Sequence, residues 1–231
     1  MLACWFGVDR STITQAVNEV QPLLAERGGT ISIGVRLRTL AKVIAHISAS
    51  GKTGIIDGTE IRVRRPAAGR KDRDTFNSGK NKQNALKTMV VTDGDCRMLF
   101  CSPTQHGSCA DITHARQLGL VSLLEGGPAA EILADAGYQG LGAQTGGRVV
   151  TPPHRKFKKN APDWYEAMYE CRRKARSSRR IRVEHGIAHR KNWRTLARHL
   201  GRREHVSDTV QAVAGLLSHQ QTADLIPGQQ V

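Results

Sequence analysis

Three acidic residues are marked out by their settings. The run Gly54-Ile55-Ile56-Asp57-Gly58-Thr59-Glu60-Ile61-Arg62-Val63 delivers one carboxylate, Asp57, at the end of an apolar β-branched stretch and then alternates strictly, the pattern of a half-buried strand. Asp135 closes a second apolar run, Glu131-Ile132-Leu133-Ala134. Glu184 sits in the basic stretch Arg180-Ile181-Arg182-Val183-Glu184-His185, which reads as helix. Two strand-end aspartates and a helical glutamate suit Mg²⁺, a hard cation held by one or two carboxylates while substrate phosphates complete its shell. Two such ions about 3.5–4 Å apart clamp the attacking and leaving oxygens of an in-line displacement. The chemistry these residue types point to is therefore phosphodiester cleavage.

On a helix, Arg180, Glu184 and Lys191 share one face, because steps of four and seven residues at about 100° each return close to the start. Cations above and below would hold Glu184 ionised toward a metal while they themselves bind phosphate. The plainer alternative is a ladder of exposed ion pairs, each worth only about 0.2–0.5 kcal/mol. Other suggestive residues carry less. Gly51-Lys52-Thr53 is no phosphate loop, since its first glycine would fall on His46. The glycines from Gly137 to Gly142 lack dinucleotide spacing, and His185 with His189 lacks a third zinc ligand. Asp93-Gly94-Asp95 is a hairpin turn signal between two strands, over 85–92 and 97–104.

The blocks Ile55-Ile56-Asp57-Gly58-Thr59, Leu133-Ala134-Asp135-Ala136-Gly137-Tyr138-Gln139-Gly140 and Arg182-Val183-Glu184-His185 resemble those of DDE transposases of the insertion-sequence and Harbinger-like kind. The similarity runs from about Leu2 to about His219, and Ser78-Gly79-Lys80-Asn81-Lys82 and His106-Gly107-Ser108 resemble further elements of the family. The resemblance implies an α/β fold, an RNase H-like mixed sheet flanked by helices. It implies Asp57, Asp135 and Glu184 as catalytic metal ligands for Mg²⁺, with Mn²⁺ as a substitute. Lys80, Lys82, Arg180 and Lys191 would contact DNA. The family's tyrosine ahead of its arginine is Ser177 here. The implied activity is cutting at transposon ends and joining of the freed 3′-OH to target DNA, with terminal repeats and target duplex as partners and room for a homodimer. Two rivals are an RNase H-like nuclease that cuts without joining, and a decayed or co-opted transposase that only binds DNA.

Ahead of the Asp57 strand, residues 1–30 have the cadence of a partial helix-turn-helix, with Gly7 at the turn and Arg10, Ser11 and Thr12 at the polar start of the second helix, facing bases or phosphates. Because the chain begins at the last turn of the expected first helix, Val8, Ile13 and Val17 are expected to lack a partner, and recognition of specific ends to be weak. Residues 31–50 are expected to be a connecting helix, periodic from Arg36 to Ala49, and 51–219 the catalytic domain. Within that domain a helix is expected from Asp111 to Glu125, with Asp111 as a first-turn acid. A long helix from about Asp163 past Leu200 and a last helix over 207–219 follow, then a flexible tail, 220–231.

Composition agrees with a polyanionic partner. The chain has 231 residues, 35 Lys and Arg against 20 Asp and Glu, a formal charge of +15 and a sequence pI near 10.2, which favours nucleic acid over a membrane. No apolar run approaches the roughly 18 residues of a membrane span. Five scattered cysteines without a C-x-x-C pair read as free thiols in a reducing compartment, and a cytoplasmic, nucleoid-associated protein is expected.

Overall fold

The structure is a computed structural model that describes residues 2–32, 35–153, 161–175, 178, 193–199 and 201–223. Arg180, Glu184 and Lys191, together with Ser177, His185 and His189, lie outside the described residues. A helical pair, α1 (Leu2–Phe6) and α2 (Arg10–Glu26), leads into the strands β1 (Gly29–Ser32) and β2 (Val35–Leu37), then α3 (Leu40–Ala49). The central strand β3 (Gly54–Arg62) is followed by β4 (Ala85–Thr92), β5 (Met98–Cys101) and β6 (Gln105–His106). Next come α4 (Asp111–Gln117), α5 (Leu120–Glu125), β7 (Ile132–Leu133), α6 (Leu141–Gln144) and β8 (Val149–Val150). Helix α7 covers 163–175, and α8 (Arg194–Ala197) and α9 (Val206–Ala223) complete the described chain.

The main sheet has six strands in the order β5-β4-β3-β7-β8, with β6 also on β4. β4 runs antiparallel to β3 and β5, whereas β7 is parallel to β3 and β8. This mixed sheet flanked by helices is consistent with the expected RNase H-like fold. It is buried on both faces, as the unbroken burial along β4 shows, its Lys87, Thr88 and Thr92 included. Ile56, Met89, Val91 and Leu99 pack with residues of α3, α5 and α6 on one side. Ile55, Val90, Met98 and Leu133 pack with Leu196 of α8 and Val210, Val213 and Leu217 of α9 on the other.

Several expected boundaries shift. Arg36 belongs to a strand, paired with Thr30, and α3 starts only at Leu40 because Thr39, in extended conformation, caps it by accepting from the Lys42 N–H. The helix expected over 111–125 is split at Gly119 into α4 and α5. The long helix expected past Leu200 does not extend that far: α8 has four residues, Arg198 forms a bridge with Arg62, and the His199 N–H donates to the Arg62 carbonyl at 2.9 Å. The last helix outruns its expected end at His219, since Gln221 accepts from the Met98 N–H and Thr222 donates to the Thr30 carbonyl. Asp93 is the turn residue expected, buried and accepting from the N–H groups of Asp95 and Arg97.

At the amino terminus, a segment through Gly7, whose φ is +62°, joins α1 to α2. The expectation that α2 lacks a partner is corrected: its Ile13, Val17 and Val20 face Ala212, Val213 and Leu216 of α9 across an apolar groove, and Gln21 donates to the His205 carbonyl and to Thr209. Sequence proximity could not show this seat, because it comes from the far end of the described chain. No helix among the described residues is long and apolar enough to cross a membrane.

Candidate active site

Asp57 lies two residues beyond Ile55 on β3, and Asp135 two residues beyond Leu133 on β7; Ile55 and Leu133 are directly paired in the parallel ladder. Asp57 thus sits within β3 and Asp135 just past the end of β7, each two residues beyond a paired position of adjacent strands. β3 is also where the sheet changes sense, with antiparallel β4 on one side and parallel β7 on the other. Crevices at such switch points, beyond the carboxyl ends of parallel strands, are natural ligand sites. A cavity of about 580 Å³ opens there, lined by both aspartates.

Each aspartate is oriented by a backbone N–H close by. Asp57 Oδ1 accepts from the Gly58 N–H, and Asp135 Oδ1 from the Gly137 N–H, both at 2.9 Å. Asp135 thereby caps the 3₁₀ turn Ala136–Tyr138. Both glycines are explained by a third acid. A Cβ on Gly58 would come within 2.6 Å of Asp111 Oδ1, and one on Gly137 within 3.0 Å of Asp135 Oδ1 and 3.1 Å of Asp111 Oδ2. Asp111, expected only as a first-turn acid of α4, thus places its carboxylate against Gly58 and Gly137, and it too lines the cavity.

The next layer was not anticipated. Lys87 on β4 stands directly opposite Glu60 on β3, and its ammonium donates to the Cys109 carbonyl at 3.0 Å and to Asp111 Oδ1 at 3.3 Å, with Glu60 Oε1 at 3.9 Å. Lys87 is 9% exposed, so this cation serves to bind β3, β4 and α4 together. Burial pushes the Cys109 thiol up, against the opposing pull of Lys87, which disfavours a thiolate nucleophile here. Thr59 also lines the cavity; its buried hydroxyl has no hydrogen-bond partner among the described residues.

Of the residues expected to contact DNA, Lys80 lines the cavity and Lys82 does not. Lys82 is exposed and held at φ +52° in the same loop. Arg10, Ser11 and Thr12 are exposed in the first turn of α2. On the other wall, Leu196 and Ala197 of α8 and Arg62 of β3 complete the lining, so the chain downstream of Glu184 returns to this site. Hard carboxylate oxygens of Asp57 and Asp135 on one cavity, beside an unpartnered hydroxyl, fit a divalent cation such as Mg²⁺. Among the described residues no three acidic, histidine or cysteine side chains are placed to hold a metal ion; the third expected ligand, Glu184, is not one of those residues.

A family model described as DDE superfamily endonuclease matches residues 56–218, a span that holds both aspartates, the whole cavity lining and most of α9. The chain belongs to this family. No match to a curated protein or to a solved structure was found. Membership of the DDE endonucleases implies a metal-dependent nuclease acting on DNA.

Proposed function

We propose that this DDE endonuclease is a transposase, which cuts at the ends of a mobile element and joins the freed 3′-OH to target DNA. The observation that carries the reading is that Asp57 of β3 and Asp135, just past β7, line one cavity with Lys80. Asp57, Asp135 and Glu184 would hold two divalent cations, whose charge lowers the pKa of an attacking water or hydroxyl and stabilises the leaving oxygen. The protein's own contribution is placement. The backbone N–H groups of Gly58 and Gly137 fix the two carboxylates, and Lys80 and Arg62 flank the cavity as phosphate-binding cations. Arg180 and Lys191 extend that phosphate track in this reading, while Arg10, Ser11 and Thr12 hold the duplex at a distance from the cut.

The test is an assay of the purified protein with Mg²⁺ on duplex DNA carrying the repeats that flank its own coding sequence. Strand cleavage at the repeat boundary followed by covalent joining of that 3′ end to a second duplex is the expected result. Cleavage without joining would identify a nuclease of the same fold, and binding without cleavage a DNA-binding derivative.

A further inference from the structure

The loop 77–84 carries Lys80 to the cavity, and its shape depends on a residue of the catalytic strand itself. Asn77 and Asn84 close the loop as an isolated bridge. Inside it, the Ser78 N–H donates to the Gln83 carbonyl and the Lys82 N–H to the Ser78 carbonyl. Ser78 is wholly buried, and its Oγ accepts from the N–H groups of both Lys80 and Asn81 at 3.2 Å. That hydroxyl donates to Glu60 Oε1 at 2.5 Å, and the Asn81 side-chain amide donates to Glu60 Oε2 at 2.7 Å. Both oxygens of one carboxylate thus grip the loop on either side of Lys80, and the same carboxylate faces Lys87 across the β3–β4 ladder.

We propose that Glu60 is a positioning residue that holds the Ser78–Asn81 turn so that Lys80 meets a substrate phosphate in the Asp57–Asp135 cavity. The proposal rests on the reading of that cavity as a phosphodiester active site. It makes a prediction opposite in sign to simple electrostatics. Deleting a carboxylate beside a polyanion site should strengthen DNA binding on charge grounds alone, whereas loss of the clasp should weaken it.

Two measurements on the full chain test this. The first is amide hydrogen exchange: in Glu60→Ala the Lys80 and Asn81 amides should exchange at least about tenfold faster than any change common to β3 and β4 accounts for. In Glu60→Gln the protection should largely return, because the Gln carbonyl can still take the Ser78 hydroxyl and a reoriented Asn81 amide can meet its NH₂. The second is the salt dependence of binding to a fluorescent random-sequence duplex in EDTA. Lys80→Ala should lower the log–log slope by about 0.9 for one lost phosphate contact. Glu60→Ala should do the same, Glu60→Gln should not, and Glu60→Ala in the Lys80→Ala background should add nothing. Ser78→Ala breaks the clasp from the loop side without changing charge, and should copy Glu60→Ala even if the latter folds poorly. Unchanged exchange, or tighter binding by both Glu60 variants, overturns the proposal. A slope lowered by Lys80→Ala but not by Glu60→Ala or Ser78→Ala overturns it alone, whereas a slope untouched by Lys80→Ala overturns the phosphate reading of the cavity and the role of Glu60 with it.

Discussion

Two concave regions of similar size meet opposite faces of the chain's chemistry. The cavity at the β3–β7 switch, about 580 Å³, is lined by Asp57, Asp111, Asp135, Lys80 and Lys87. The groove between α2 and α9, about 420 Å³, is lined by Ile13, Val17, Val20, Val213 and Leu216 and has no titratable side chain on its walls. The first is held by charge and hydrogen bonds from four separate elements, so a single replacement there should be felt in chemistry or in stability. The second keeps part of its apolar surface open, with Leu2 at 53% and Val17 at 52% exposure on its walls, so about half of the transfer free energy of those side chains is not realised in this fold.

The sharpest break would come at the two aspartates. Asp57→Asn and Asp135→Asn keep the shape of the side chain and remove the charge that a divalent cation requires. Each should lower the rate of DNA cleavage by about a thousandfold or more, some 4 kcal/mol of lost transition-state stabilisation, with duplex affinity kept or raised. Initial cleavage rates and binding isotherms check this. A variant within a few-fold of the parent rate would remove that aspartate from the site.

Next in size is Lys87. Its ammonium is enclosed by Glu60, Asp111 and the Cys109 carbonyl, and Lys87→Met would leave two partly buried carboxylates without their cation. Removing one member of such a group typically costs about 3–5 kcal/mol. Lys80→Ala, on an exposed residue of the same cavity, should stay within about 0.5 kcal/mol. Denaturant unfolding of the two variants compares them directly. Equal stabilities would mean that Lys87 is solvated and the network of little consequence.

The same contrast governs what could be read from the chain before its fold was known. Asp57 and Asp135 were legible because an apolar run that ends in an acid has few structural reasons to do so. Glu60 and Lys87 were not, because in a strand alternation a charged residue reads as solvent-facing. Only the β3–β4 register, which sets Glu60 opposite Lys87, turns them inward. Asp111 was placed correctly at the start of a helix, yet its service to Gly58 and Gly137 depends on how α4 packs across β3. The mixed sheet was expected from the family resemblance, whereas the β1–β2 hairpin was hidden because Arg36 and Leu37 continue the helical period of α3. The α2–α9 contact joins the two ends of the described chain, a distance over which local patterning says nothing.

Titration should distinguish the regions more gently. His114, a turn along α4 from Asp111, and His199, just after α8, are 3% and 7% exposed, and burial lowers the pKa of both imidazoles. The unfolded chain takes up these protons near the ordinary value of about 6.5, the folded chain only at lower pH. In that window the unfolded state binds more protons, so the histidines' contribution to stability is full above it and is lost as pH falls through it. The melting temperature should decline from pH 7.5 to 5.5, and His114→Gln should flatten the decline. Protection factors of α4 amides, taken relative to the slower intrinsic exchange in acid, should fall as pH drops while those of α2 do not. A flat profile, or one unchanged in His114→Gln, would mean that His114 is charged or solvated in the fold.

The smallest effects should come from the groove, and α9 supplies its own control because the helix has two faces. Leu217 is 5% exposed and packs under the sheet with Leu133 and Val90, so Leu217→Ala should cost about 2–5 kcal/mol in lost transfer and residual cavity. Leu216, one residue away, is 37% exposed and turns to the groove. Trp5, with 81% exposure, has still less to lose. Leu216→Ala should cost well under half as much as Leu217→Ala, and Trp5→Ser should change unfolding free energy by no more than about 0.5 kcal/mol. If Trp5→Ser instead destabilised the protein by about 2 kcal/mol or more, the indole would have to be covered in solution. Sedimentation of the parent and the variant over a range of concentrations would then show whether a second copy of the chain supplies that cover.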